Sequence, residues 1–323
     1  MDPFGNFDPA KLKEFETLVR TRCELLISGE GYSDPLKVFV KPEPHKLKKV
    51  EEGRLRLISA VSLIDTMVDR IAFGWLHDNA LASFPATPIM CGWSPANGGW
   101  RLIRYNSDDV MCVDKSSWDW TLQEWIVDAL EDFVLELGEM LPPEARKLVK
   151  ARFVQLFKES VFGFIDGTVA KQKGVGIMKS GCFMTLLFNS VSQLLLHSVV
   201  CKQMSISPKP WPKCLGDDTI QQLVPDVEQY VGLMGKLGCT LKVKTGEVEF
   251  AGFRFSKTTC VPAYTKKHLF KLAYSNNFCE LLVAMQLLYA HSPSMTALLR
   301  KIAITSGNPT ALVSRTRAFK LLA

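Results

Sequence analysis

Hydrophobic positions along this chain fall into two rhythms, one of three or four residues and one of two, and the changes between them mark out its elements. Residues 11 to 28 read as a helix. Val38-Phe39-Val40 reads as a short strand that stops at Pro42 and Pro44, because proline removes donors from a ladder. Arg56 to Ser59 is extended, and from Ser62 to Leu76 the apolar residues Leu63, Ile64, Met67, Val68, Ile71 and Trp75 return at helical spacing. Cys91 to Trp100, rich in Gly, Pro and Asn, predicts a loop.

Val110 to Val113 is a short apolar run ending at Asp114, the pattern of a buried strand with a side chain at its tip. Leu122, Ile126, Leu130, Phe133 and Leu137 then predict a helix that ends near Pro142 and Pro143. Residues 160 to 178 alternate strand-like pieces with glycines, which predicts a hairpin, and Gly181 opens another helix. Lys213 to Val224 reads as two strands folded about Gly216-Asp217, since Gly followed by another residue suits a two-residue hairpin turn. Val227 to Leu237 is helical, Glu247 to Phe255 strand-rich, and the remainder mostly helical.

With 323 residues, 47% of them hydrophobic, the chain buries a large core as one elaborate domain or two or three subdomains. It shows no repeat, low-complexity tract or long linker, so any subdomains interleave. The net charge of +6 only mildly favours a polyanionic partner, but its distribution says more. Lys41, Lys46, Lys48, Lys49, Arg54 and Arg56 crowd together, apart from Asp114, Asp119, Asp217 and Asp218. A basic channel facing an acidic pocket suits nucleic acid and metal.

The nine cysteines include no Cys-x-x-Cys pair and read as free thiols. The opening Met-Asp-Pro-Phe-Gly-Asn lacks the basic and apolar regions of a signal peptide, so no secretion signal is expected. The most apolar stretch, Leu186 to Val200, is broken by Asn189, Gln193 and His197 and reads as a buried helix, leaving no membrane span.

Phosphoryl transfer to a nucleotide 3′-hydroxyl is served by two divalent cations about 3.5–4 Å apart, which need carboxylates converging from different elements. Asp114 at a strand tip, Asp217 at a hairpin turn and Asp218 beside it are the candidates, and magnesium suits such oxygen ligands. A lone Gly-Asp-Asp carries little weight, since a chain this long contains one by chance about one time in twenty. The order of three segments carries more: Asp114 to Asp119, then Ser180-Gly181 with Thr185 and Asn189, then Gly216-Asp217-Asp218. Thr185 and Asn189 share one helix face, and Asp119 is placed to join them near a ribose. Arg54 and Arg56 alternate on an extended segment, and arginine suits triphosphate oxygens.

These segments resemble the motifs of positive-strand RNA virus RNA-dependent RNA polymerases, closest in flavour to the sobemovirus-like and polerovirus-like group of the picornavirus-like polymerases. The resemblance runs from about Lys37 to Phe255. Lys37 to Lys46, continued by Gly53 to Ser59, resembles motif F, which implies that Lys41, Lys49, Arg54 and Arg56 contact triphosphate or template. Asp114 to Asp119 resembles motif A, with Asp114 a metal ligand and Asp119 a sensor of the ribose 2′-hydroxyl. Ser180, Gly181, Thr185 and Asn189 resemble motif B, and Gly216-Asp217-Asp218 resembles motif C. Lys242 or Lys244 corresponds to the motif D lysine that protonates pyrophosphate, and spacing does not choose between them. Phe250 to Phe255 resembles the primer-gripping motif E.

The resemblance implies an α+β right-hand polymerase of fingers, palm and thumb, its antiparallel palm sheet backed by helices. The implied sections are 1–108 fingers with motif F, 109–142 palm with motif A, 143–178 inserted fingers, 179–256 palm with motifs B to E, and 257–323 an abbreviated thumb. It further implies two Mg2+ ions, with Mn2+ as the substitute, held by Asp114, Asp217 and Asp218. Implied partners are template and primer RNA, NTPs and other viral replication proteins, with the chain part of a larger polyprotein acting in membrane-associated complexes of the host cytoplasm. A reverse transcriptase is the nearest alternative, disfavoured by Asp119, Asn189 and Leu215 before the acidic pair. An RNA-binding remnant of a polymerase is the other, disfavoured because every expected acid is present.

Overall fold

A computed structural model describes residues 8–322. The opening hexapeptide read above for targeting lies outside them, as do the outermost residues of the first and last expected sections. The first helix, α1 (Pro9–Ser28), starts where the Asp8 carboxylate accepts a hydrogen bond from the Ala10 amide at 2.9 Å and Pro9 supplies a first-turn φ. β1 (Leu36–Val40) pairs antiparallel with β2 (Leu57–Ala60), and the lysine-rich stretch between them forms the short helix α2 (Leu47–Glu51). α3 (Leu63–Ala82) opens on Ser62, whose hydroxyl accepts from the Asp65 amide at 3.1 Å, and runs past the expected end at Leu76.

β3 (Met111–Lys115) is the expected buried strand. It is followed by α4 (Trp118–Thr121), α5 (Glu124–Leu137) and α6 (Pro143–Phe153), the last continued by a π-helical turn over Val154–Lys158. The hairpin expected over 160–178 is β4 (Val161–Gly163) and β5 (Val169–Lys171). α7 (Thr185–Gln203) begins after Gly181, not at it, because the Gly181 amide is engaged by the Ser59 carbonyl at 3.1 Å. β6 (Lys213–Leu215) and β7 (Asp218–Gln221) are the expected hairpin about Gly216-Asp217. Then come α8 (Val227–Lys236), β8 (Leu241–Thr245), β9 (Val248–Phe250), β10 (Phe253–Phe255) and β11 (Cys260–Pro262). The C-terminal part is helical, as expected: α9 (Thr265–Ala273), α10 (Phe278–Leu288), α11 (Pro293–Thr305) and α12 (Arg315–Leu322).

The result is a mixed architecture of helices and three sheets. One sheet is ordered β2-β1-β4-β5, with β1 and β4 parallel. A second, β6-β7-β3-β8, is antiparallel throughout, and a third is β11-β10-β9. The core packs the second sheet against the helices. Met111 and Val113 of β3 join Phe73 of α3, Phe153 of α6 and Phe188 of α7 in one cluster. Phe73 stands edge-on to Phe188 at 5.7 Å and to Phe153 at 5.9 Å. Burying each such ring is worth about 1.5–3 kcal/mol.

On the other face, Cys112 and Ile220 pack with Phe250 and Phe255. Because side chains alternate along a strand, Asp114 falls on the Cys112 face while Lys115 falls on the helix-covered face. The expected loop over Cys91 to Trp100 receives the C-terminus: Trp100 Nε1 donates to the Leu322 carbonyl and the Asn97 amide to the Leu321 carbonyl, each at 2.7 Å.

Candidate active site

The site lies where β3 ends beside the β6–β7 turn. Leu215 pairs with Asp218, leaving Gly216 and Asp217 as a two-residue turn, and Gly216 has φ +65°, left-handed backbone that glycine adopts without cost. The turn is tied down from behind. The Gly216 amide donates to Ser190 Oγ at 2.9 Å, and that hydroxyl donates to the Leu186 carbonyl at 2.8 Å. Thr219 Oγ1 donates to the Val113 carbonyl at 3.1 Å, fixing the hairpin to β3. Asp114 and Asp218 are exposed and Asp217 is half-buried.

The three carboxylates act on one another. Burial and the charges of Asp217, Asp114 and Glu249 push Asp218 up to about 7, although its side chain keeps access to solvent. Burial and Asp114 also raise Asp217, while Lys115 and Arg56 act in the opposite direction. Lys115 is buried beneath them; desolvation lowers its pKa and the charges of Asp217 and Asp114 oppose that.

Asp119 and Asn189 meet across α4 and α7. Asn189 Nδ2 donates to Asp119 Oδ1 at 3.2 Å, and Trp118 Nε1 donates to Asn189 Oδ1 at 2.8 Å. Burial raises Asp119, helped by Asp217, against the Asn189 hydrogen bond and Arg56. The Thr185 hydroxyl is turned to the helix start, donating to the Lys179 carbonyl at 2.6 Å. Ser180 Oγ accepts from the Ser59 amide at 3.2 Å. A Cβ on Gly181 would sit 2.6 Å from the Ser59 carbonyl oxygen, so only glycine lets this turn approach β2 so closely.

Of the four basic candidates, Arg56 acts electrostatically on both Asp119 and Asp217. Its guanidinium is held by Glu43 Oε1 at 2.9 Å, and Lys41 Nζ lies 3.6 Å from the same carboxylate. Arg54 pairs with Glu52, and Lys49 is exposed on α2; neither joins the carboxylates in the described contacts. On β8, Lys242 is directly opposite Asp114 and its Nζ lies 3.4 Å from Asp114 Oδ2. Lys244 instead pairs with Glu249 at 2.9 Å.

The donor set is chemically suited to a hard divalent cation: carboxylate oxygens only, from two adjacent strand ends, with burial first and the neighbouring carboxylates second raising Asp217 and Asp218. It is an open set. Among the described residues no three His, Cys, Asp or Glu side chains are gathered closely enough to hold a metal ion by themselves. Magnesium tolerates this, because it keeps water and substrate phosphate in its shell.

Residues that the sequence did not single out complete the site: Ser190 under the turn, Lys115 beneath the carboxylates and Glu249 beside Asp218, while Trp118, within the motif A segment, holds Asn189. Ser190 and Lys115 each adjoin a residue that was singled out. Glu249 had no such signal beyond its strand.

The sequence profile described as viral RNA-dependent RNA polymerase matches residues 29–268, the span that contains every element of this site. The chain belongs to that family. It is 32% identical over 259 residues to the replicase polyprotein P2AB of Southern bean mosaic virus, covering 75% of this chain and 26% of that protein. Protein P1-P2 of Potato leafroll virus is 30% identical over 271 residues, 77% of this chain and 24% of that protein. The RNA-directed RNA polymerase of Mushroom bacilliform virus is 30% identical over 236 residues, 70% of this chain and 55% of that protein. The chain thus spans about a quarter of the length of the replicase polyproteins it matches.

Proposed function

We propose that this chain is the RNA-directed RNA polymerase of a positive-strand RNA virus, joining NTPs to an RNA 3′-hydroxyl under the direction of an RNA template. The observation that carries the reading is the juxtaposition of Asp114 at the end of β3 with Asp217 and Asp218 at the neighbouring turn, in a chain of this family. In this reading the antiparallel β6-β7-β3-β8 sheet is the palm, within sections 109–142 and 179–256. Sections 1–108 and 143–178 are fingers, and 257–323 is the thumb.

Asp114, Asp217 and Asp218 would hold two magnesium ions, which when bound activate the 3′-hydroxyl and neutralise the leaving pyrophosphate; manganese would serve in their place. Arg56, with Lys41, Lys49 and Arg54 along the same segment, draws the triphosphate in and balances its charge. Asp119 and Asn189 present a carboxylate and a carboxamide to the ribose hydroxyls, while Ser180, Gly181 and Thr185 hold the turn against β2. Lys242, beside Asp114, delivers a proton to the departing pyrophosphate.

Template and primer RNA, NTPs and further viral replication proteins are the partners of this activity, exercised in membrane-associated complexes of the host cytoplasm. Among the described residues no helix is long and apolar enough to cross a membrane, so other proteins would supply attachment in this reading. The test is incorporation of labelled NTPs by purified protein on a primed RNA template with magnesium, with Asp217→Asn and dNTPs as controls. Template-dependent extension lost in the variant supports the reading. Normal incorporation by Asp217→Asn defeats the assignment of the metal site.

A further inference from the structure

Lys179 is fully buried, yet among the described residues no carboxylate meets its ammonium. Its Nζ donates to Gln172 Oε1 and to the Ile177 carbonyl, each at 2.7 Å, and to the Gly176 carbonyl at 3.3 Å. Three carbonyl acceptors match the three N–H donors of a charged lysine. The faces of Phe157 and Phe162 enclose it at 5.6 and 5.5 Å. Burial pushes the group down to about 7, opposed by the Cys182 thiol. A side chain kept at that cost, where methionine would fill the space, has a task beyond packing.

The segment it grips is strained and connects two parts of the proposed site. Ile177 has φ +53°, a conformation that a β-branched residue adopts only when its surroundings impose it. The next residue, Met178, donates its amide to the Asp119 carbonyl at 2.7 Å. Just beyond it, the Lys179 carbonyl accepts from Thr185 Oγ1 and from the Cys182 amide at 2.9 Å. Gln172 braces the same turn from the other side, its Nε2 reaching the carbonyls of Phe157, Gly174 and Gly176.

We propose that Lys179 is a positioning residue: its buried ammonium clamps the turn over residues 176–178 and thereby sets both Asp119 and the Ser180-Gly181 turn for recognition of the incoming ribonucleotide. This rests on the polymerase reading of the site. Lys179 touches no substrate in this scheme. It acts on KM and on the choice of sugar, leaving the metal-binding carboxylates in place.

The experiment compares wild type, Lys179→Met and Gln172→Leu in two ways. Amide hydrogen exchange without substrate reads the clamp directly, and primer extension with NTPs and dNTPs reads its consequence. For Lys179→Met, exchange at residues 176–181 is expected to accelerate about tenfold, the loss of one or two buried hydrogen bonds. KM for NTP should rise about tenfold and ribose preference fall, with kcat at saturation within about threefold of wild type. Gln172→Leu should shift each quantity the same way by less, and decides the matter if Lys179→Met does not fold. Unchanged exchange, KM and sugar preference in a folded variant would overturn the proposal, as would a fall in kcat alone. If wild type extends no primer, the polymerase reading fails by itself, and exchange alone still passes or rejects the clamp.

Discussion

Asn189 Nδ2 lies 3.2 Å from Asp119 Oδ1, a contact between side chains 70 positions apart in sequence, and the Trp118 indole fixes the other end of the carboxamide at 2.8 Å. Asn189 is almost fully buried, so its orientation is set before any substrate arrives. Under the proposed function, Asn189→Ala removes the donor to Asp119 and leaves the indole N–H without its acceptor. The ratio of kcat/KM for NTP over dNTP should fall about tenfold, the value of one or two hydrogen bonds in a site that reads a hydroxyl. Trp118→Phe should give a smaller loss in the same direction. Competition between NTP and dNTP in primer extension measures both, and unaltered discrimination would remove Asp119 and Asn189 from the ribose pocket.

The two lysines of β8 are separated by their partners. Lys242 Nζ is 3.4 Å from Asp114, whereas Lys244 is committed to Glu249 at 2.9 Å, which raises its pKa and makes it a poorer proton donor. Lys242→Met is therefore expected to lower kcat by about 10- to 100-fold, the usual contribution of a general acid, with little change in KM. Lys244→Met should leave kcat within about threefold. Single-turnover incorporation of NTP by each variant distinguishes them. A larger loss in Lys244→Met would reverse the assignment.

Glu43 is a junction between distant parts of the chain. Its nearly buried carboxylate accepts from Arg56 and Lys267 at 2.9 Å each, with Lys41 at 3.6 Å. Burial alone would raise its pKa, but Lys267, Arg56 and Lys41 together hold it at about 2. A carboxylate held below its unfolded value near 4.5 adds stability that is complete above that value and is lost as pH falls towards 2. Allowing for its partly exposed cationic partners, the contribution is about 1–2 kcal/mol. Denaturant unfolding of Glu43→Gln should show that deficit at pH 7 and almost none near pH 2. A deficit independent of pH would mean that packing, not charge, is the cause.

Much of this arrangement is readable from the chain because its strongest signals are local. Val110 to Val113 is short, apolar and ends in a carboxylate, and Gly216 marks a turn that needs positive φ, so β3 and the β6–β7 hairpin stand out. α6 does not, because one of its buried positions is Arg152, a charged residue on the face that would otherwise read as apolar. β8 was hidden for a similar reason: its lysines attract notice as candidate acids, while Leu241 and Val243 alternate with them at strand spacing. The start of α7 was misplaced by long-range contact, since Gly181 serves β2 rather than a helix. Glu43 and Lys179 are legible only in three dimensions. Their partners come from segments up to 224 residues away, or are backbone carbonyls that sequence does not distinguish.

Arg152 itself carries the last prediction. Its Nε donates to Asp69 Oδ1 at 2.7 Å and its NH1 lies 3.6 Å from Asp65 Oδ1, while Arg22 reaches that same Asp65 oxygen at 2.7 Å. Arg152, Asp65 and Asp69 are each about 1% exposed, so α1, α3 and α6 are joined by charges almost wholly removed from water. Even here Asp69 Oδ2 has no hydrogen-bond partner among the described residues, and burial raises the Asp69 pKa against the pull of Arg152. Such a network is costly to form, and damage to one partner strands the others. Arg152→Met should therefore destabilise the protein by about 3–5 kcal/mol in denaturant unfolding, because two carboxylates remain buried with less compensation. Adding Asp69→Leu to that variant should restore part of the loss, since an apolar side chain has no charge to strand. Failure of the double variant to recover any stability would show that the arginine acts through its packing and its contact with Ser33, and not through Asp69.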